Sequence, residues 1–463
     1  MRPLLQPRRL SWLVGFGLLV ALIYFAALRR YYMFDADHAI QIMMAKYFTG
    51  QSADFYYWGQ NRLGSLIPIL LIVPIKLLGL PALASAVVCS LALYLLALWL
   101  LFSHARGPFE RAASLVGFFL VPIQCYAFLL YTGHPYVPAM ALTLCAFTWL
   151  FHARPSIAVA FGSGLLLSLS IWVSEATVAS IGALFLILLD RRKSGQFNAK
   201  ALVALGLGTL TLVPCIHYWR KHIGYEGHDA DYLRVITPDL LVVGLKKFLP
   251  QFSDMVNSRL PDKPLWAWLV TGMLVLVNPL VLMLRKGIVD EGPDQPRAPV
   301  MTFLALHNIL YFFIMLASLH AYYGEGLIQR YWVPVIIFSI YLLMVLCARA
   351  LRQIGLRRWA VVPAAPALLA IVSLTLLAVH KWPRKQAPVS SFESIASHRR
   401  DLRLVREHGA THATADYWRS IPLNVLSEFQ VLAITPGHSR TLRFEDEFSP
   451  RERQAHPDRY YDF

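Results

Sequence analysis

The feature that most constrains this chain is a succession of apolar runs, each near 20 residues, separated by short polar stretches. About 20 apolar residues is the length a helix needs to cross the hydrocarbon core of a bilayer. Only 15% of the residues are charged, against about 25% in water-soluble chains. The pattern predicts an all-α polytopic membrane protein with eleven spans, at 11–28, 82–102, 113–131, 136–151, 156–173, 176–189, 201–219, 265–284, 300–318, 331–347 and 359–379. Arg2, Arg8 and Arg9 before the first run also fit a signal peptide. No small-x-small cleavage site follows, so the run is read as a retained span.

One segment decides the topology. Ser65–Leu78, SLIPILLIVPIKLL, is apolar but only 14 residues long, with Pro68, Pro74 and Lys76 inside it. That is short for a span and suits an interfacial or re-entrant helix. If it does not cross, the inward-facing pieces hold 17 of the 43 Lys and Arg. If it did cross, RRKSGQ and ARALRQIGLRR would face outward, against the positive-inside bias. The net charge of +16 therefore follows membrane topology, and nucleic acid is rejected as a partner. The five cysteines lie in or beside apolar runs, which argues for packing rather than disulfides or a metal cage.

This layout puts the N-terminus in the cytoplasm and three large pieces outside. They are a first outer loop at 29–81, a second at 220–264 and a tail at 380–463. The chain thus divides into a membrane module, 1–379, and a small C-terminal α/β domain, 380–463. In the tail, Ser390 and Glu393 have capping-box spacing and open a helix that Gly409 can close. Phe429–Thr435 reads as a buried strand.

The first outer loop opens with MFDADHAIQ, which sets Asp35 and Asp37 just beyond the first span. Ile40, Met43, Met44, Tyr47 and Phe48 then recur at helical spacing, with Gln41 and Lys46 off the stripe. This predicts an amphipathic helix in the interface plane. DFYYWGQNRLG follows, an aromatic cluster running into polar residues and two glycines. The plain reading of Asp37 is an N-cap for a helix starting at His38. Capping leaves Asp35 unexplained and is compatible with catalysis, because a helix N-terminus holds a carboxylate in place.

FDADHA at 34–39 and GQNRLGS at 59–65 resemble the loop motifs of the GT-C superfamily of membrane glycosyltransferases, which includes the protein O-mannosyltransferases and the lipid A aminoarabinose transferase. RYWVP, Arg330–Pro334, is similar to the motif that opens a late span in such enzymes, and ADYW, Ala415–Trp418, resembles some of their tails. Asp37 matches the motif's acid, while His38 stands where a Glu is common. The resemblance implies transfer of a sugar from an outer-leaflet polyprenyl phosphate to a lipid, glycan or protein acceptor. An acid of the first loop, Asp37 or Asp35, would act as general base, usually with inversion. It implies a bacterial inner-membrane enzyme with a periplasmic site and no required cofactor.

The chemistry asks for the same parts. A hydroxyl is a poor nucleophile until a positioned base takes its proton. A phosphate leaving group calls for a cation, and an arginine fork suits it best. Arg330, beside Tyr331, sits where the tenth span leaves the outer interface; an interfacial-belt role competes. Lys46, Arg62, Arg220 and Lys221 are weaker phosphate candidates, and Gln60 and Asn61 are polar candidates in the same loop motif. Glu175 lies at a tight outer turn, where a solvated acid beside a capping Ser174 competes with a functional one. His134, in a Gly-Pro turn, could contact substrate. His217 and His222 do not share a helical face, which disfavours a metal pair. Glu226–Asp231, EGHDAD, could bind a divalent cation but matches no EF-hand loop.

A flippase or transporter of lipid-linked glycans is the alternative class. It calls for charges deep in the spans, which are nearly absent. A glycan polymerase or ligase using a lipid pyrophosphate would need the same base and clamp.

Overall fold

A computed structural model of the chain describes residues 34, 36–58, 64–105, 110–114, 117, 135–152, 156–193, 198–222, 242, 276–284, 299–316, 333–353, 395–436 and 442–463. Spans expected at 11–28 and 359–379, nearly all of 113–131 and most of 265–284 lie outside the described residues. The rest show a largely helical multi-pass membrane protein with a small C-terminal α/β region.

The loop after the first expected span forms helix α1, Ala36–Lys46. Helix α2, Leu66–Leu71, then widens into a π-turn at Ile72–Leu77. Pro74 supplies the reason, since it has no N–H to continue the α-helical ladder. Together they run 12 residues, about 18 Å at α-helical rise and too short for a hydrocarbon core of about 30 Å. Ile67, Leu71 and Ile75 are buried, while Leu70, Val73, Leu77, Leu78 and Leu80 face outward. This one-sided burial fits an interfacial helix.

Helix α3, Ala82–Ser103, is 22 residues long and apolar enough to cross a membrane. Helices α4 (Tyr136–His152), α5 (Ile157–Val173) and α6 (Val178–Lys193) follow. Helices α7 (Ala199–Leu210) and α8 (Val213–Lys221) form one membrane-length rod. Its step falls at Pro214, which has no N–H to offer the Leu210 carbonyl. Helices α9 (Asn278–Met283), α10 (Val300–Leu316) and α11 (Val333–Gln353) complete the described bundle.

Glycine sets the closest crossing. A Cβ at Gly164 of α5 would fall 2.3 Å from the Leu205 carbonyl oxygen of α7, and one at Gly208 would fall 2.2 Å from that of Phe161. Small residues let helix backbones meet in this way, where lipid gives no hydrophobic drive. Polar pairs add ties: Ser180 Oγ lies 2.9 Å from His307 Nδ1, and Asn308 donates to Asn278 Oδ1 at 3.0 Å and to Ser339 Oγ at 3.1 Å. A buried ion pair, Arg349 Nε to Glu110 Oε1 at 3.2 Å, joins α11 to residues 110–114. Span composition gives no hint of it, because the partners lie 239 residues apart.

In the C-terminal region, helix α12 spans Ile395–Glu407 and ends at Gly409, whose φ of +67° makes the left-handed turn expected there. The capping pair Ser390 and Glu393 lies outside the described residues. Strands β1 (His412–Thr414), β2 (Leu432–Ile434) and β3 (Tyr460–Asp462) form a parallel sheet of order β2-β1-β3. Helix α13, Tyr417–Leu426, connects β1 to β2, and helix α14, Pro450–Ala455, precedes β3. The expected strand is present in shortened form. Buried Asn424 of α13 donates to the Ala433 carbonyl at 2.8 Å and accepts from its N–H at 3.0 Å. One side chain thereby closes the free edge of β2, as an unpaired edge requires.

This region also corrects the expected surface helix. Most of the polar side of helix α1 is covered: His38 and Gln41 are buried with Ile40, Ile42, Met43 and Met44, and Lys46 at its end stays exposed. One hydrophobic cluster joins α1, Ile67, Leu71, Ile75 and Ala86 to Ile421, Val425, Ile434, Phe444 and Phe448. Helix α1 thus packs against sequence more than 370 residues away.

Candidate functional site

Asp37 lies in the first turn of α1, one residue inside it rather than at its N-cap. Its carboxylate is half-buried. Tyr57 donates its phenol O–H to Asp37 Oδ1 at 3.0 Å, and Tyr417 donates to the same oxygen at 3.1 Å. The two phenols come from the aromatic turn of the first loop and from the C-terminal region. Such donors fix a carboxylate's orientation.

Each phenol is held by its own segment. Strand β1 ends at Thr414, Ala415 N–H still bonds the Ile434 carbonyl at 3.1 Å, and Asp416 then caps α13. The Asp416 carboxylate accepts from Trp418 N–H at 3.0 Å and Arg419 N–H at 3.3 Å. Tyr417 is thus the first helical residue, at the junction with α1. ADYW, notable from sequence only as a tail likeness, is the segment that reaches Asp37.

Tyr57 is set by a turn built around Asp54, whose side chain is fully buried. Asp54 Oδ2 accepts from Thr49 N–H at 2.7 Å, Thr49 Oγ1 at 2.7 Å and Gly50 N–H at 3.1 Å, while Oδ1 accepts from Trp58 Nε1 at 3.3 Å. Gly50 has a φ of +84°, a conformation glycine adopts without cost. Downstream, Tyr56 bridges Gly64, whose N–H donates to the Trp172 carbonyl at 2.9 Å. A Cβ at Gly64 would lie 2.5 Å from that oxygen, so the last glycine of GQNRLGS marks a close approach of loop and helix α5.

Glu175 lies in a short 3-10 turn after α5, and Ser174 gives that turn no side-chain cap. The expected solvated acid is an ion pair with Arg220 of α8. Tyr56 sits behind the pair and donates to the Ile216 carbonyl at 3.2 Å. Burial pushes its phenol up to about 12; Arg220 opposes that rise and Glu175 adds to it. Phe55 stacks on Trp219 at 4.4 Å and 5°. An open cleft of about 500 Å³ lies alongside, lined by Gln51, Ser52, Phe55, Tyr218, Trp219 and His222 among others.

Lys46 is at the far end of α1, about 13 Å along the axis from Asp37 at 1.5 Å per residue. Its ammonium stands over the Phe429 ring at 5.5 Å. Asp35, Gln60, Asn61, Arg62, His134, Arg330, Tyr331 and the Glu226–Asp231 acids lie outside the described residues. Among the described residues no three His, Cys, Asp or Glu side chains gather as a metal site. Sequence reasoning missed Tyr57, Tyr417 and Asp54. The loop's aromatic run and ADYW were the available signals for the two tyrosines, and the local hydrogen bonds of Asp54 left none in periodicity.

No family model matches the chain. No curated protein matches it either. A similar solved structure is ArnT from Cupriavidus metallidurans bound to undecaprenyl phosphate, at 13% identity and a TM-score of 0.38, covering 98% of this chain and 90% of that one. At that level the likeness carries no weight for this chain's fold or chemistry.

Proposed function

We propose that this protein is a GT-C-type glycosyltransferase that moves a sugar from a polyprenyl-phosphate carrier to a lipid, glycan or protein acceptor, with inversion. The observation that supports this best is the carboxylate of Asp37. It is half-buried at the head of α1 and oriented by Tyr57 and Tyr417. A general base needs a fixed carboxylate within reach of the acceptor hydroxyl, and two phenols on one oxygen supply the fixing.

The proposal takes the eleven-span layout with the N-terminus inside, which sets α1 and the C-terminal domain at 380–463 on the periplasmic face of a bacterial inner membrane. In it Asp37 removes the acceptor proton, with Asp35 beside it in sequence. The acceptor oxygen attacks the anomeric carbon, the bond to the phosphate oxygen breaks, and the polyprenyl phosphate leaves with its electron pair. Arg330, with Tyr331, meets the phosphate charge. Gln60, Asn61, Arg62 and His134 are further substrate contacts of the same reading. No metal ion is required by this chemistry.

The test is transfer of a labelled sugar from synthetic polyprenyl phosphate in membranes that carry the protein. Product is expected only when donor and acceptor reach the periplasmic face. Movement of intact sugar-lipid across the bilayer without transfer would replace this reading with a flippase.

A further inference from the structure

We infer that Tyr417 is a positioning residue for Asp37, and that a latch at the end of its own helix holds it there. The inference rests on the reading of Asp37 as base. It adds that the C-terminal region contributes a residue to the membrane module's site.

The contacts run along one helix. Tyr417 opens α13 and its phenol meets Asp37 Oδ1 at 3.1 Å. At the other end, Ser427 is the C-cap and the next two residues, Glu428 and Phe429, take left-handed backbone with φ of 52° and 64°. That position after a helix usually belongs to glycine, because a Cβ there is strained. Non-glycine residues persist in such backbone only when their surroundings hold them. Here the backbone N–H groups of Glu428 and Phe429 bond the Val425 and Asn424 carbonyls of their own helix at 3.0 and 2.8 Å, and the membrane module holds their side chains. Glu428 Oε2 accepts from the Ala82 N–H at 3.2 Å, the first N–H of the membrane-length helix α3. A carboxylate suits that place, since helix N-termini carry unpaired N–H groups and positive potential. Phe429 meets the Tyr47 ring edge-on at 5.9 Å and lies under the Lys46 ammonium.

Helix α13 is therefore pinned at both ends. Glu428 and Phe429 tie its C-terminus to α3 and to the end of α1, and Tyr417 ties its N-terminus to the start of α1. Ile421 and Val425, buried between those ends, belong to the same hydrophobic cluster as α1. A helix fixed at two points cannot rotate about its axis, so the phenol of Tyr417 is kept at one place over Asp37.

The experiment uses the full-length protein and measures transfer and melting together. Tyr417→Phe keeps the ring and removes the hydroxyl; kcat should fall about tenfold with donor KM and melting temperature unchanged. Glu428→Gly gives the left-handed position the residue it prefers but deletes the latch. It should also lower kcat without lowering the melting temperature, and the two changes together should cost no more than Tyr417→Phe alone. Full kcat in Tyr417→Phe, with Asp37→Asn inactive, would overturn the inference and leave the base assignment standing. Full activity in Asp37→Asn would instead remove the base assignment. Losses that multiply in the double variant would overturn the latch.

Discussion

Asp54 and Asp37 are two carboxylates of one loop, and their partners set them apart. Asp54 is fully buried and accepts from Thr49, Gly50 and Trp58, all within five residues of it, with two backbone N–H groups among the donors. Asp37 is half-buried and accepts phenols from 20 and 380 residues away. A carboxylate that gathers its own neighbours folds a turn. One that draws donors from distant segments marks where those segments converge, and convergence is what a site needs. Glu175 differs from both: among the described residues it pairs with Arg220 at a part-exposed surface.

If Asp54 is the holding acid, its loss should be felt first in stability. Asp54→Ala would take the acceptor from the buried Trp58 Nε1 and strip the turn of its bonds to the exposed Thr49 and Gly50, at a summed cost of about 3 kcal/mol. Thermal unfolding in detergent should show it, and a melting temperature equal to the parent's would break the contrast. Gly64→Ala comes next. Its Cβ would press on the Trp172 carbonyl, a backbone neighbour that yields only with a shift of loop or helix. The expected cost is about 1–3 kcal/mol, as for other overpacked sites. Glu175→Gln should matter least. A part-exposed ion pair contributes about 1 kcal/mol or less, so the melting temperature should barely move. A large fall there would mean that the Tyr56–Arg220 cluster organises the loop as much as Asp54 does.

The membrane helices were legible because oil must continue for a fixed length to cross a bilayer, and α3, α4, α5, α10 and α11 begin within two residues of the expected starts. The short α2 was legible for the same reason: 14 apolar residues with two prolines are too few to span. Helix α1 was placed correctly but its surroundings were not. Its periodicity distinguishes an apolar face from a polar one, yet it cannot say that the polar face will be covered by α13. Gln41 is buried all the same. Asp37 was singled out by a motif and by its place after an expected span. Its tyrosine partners were hidden, since a phenol's usefulness depends on three-dimensional reach. The ion pair of Glu175 with Arg220 was hidden on the same ground, each partner reading alone as a surface charge.

The most direct measurement is transfer by Asp37→Asn set beside its own melting curve. The change keeps the shape and removes the charge and the basicity. A general base contributes about 10²–10⁴ in rate, so transfer should fall by at least about 100-fold while the melting temperature stays near that of the parent. Full transfer, or a loss of transfer explained wholly by unfolding, would contradict the account.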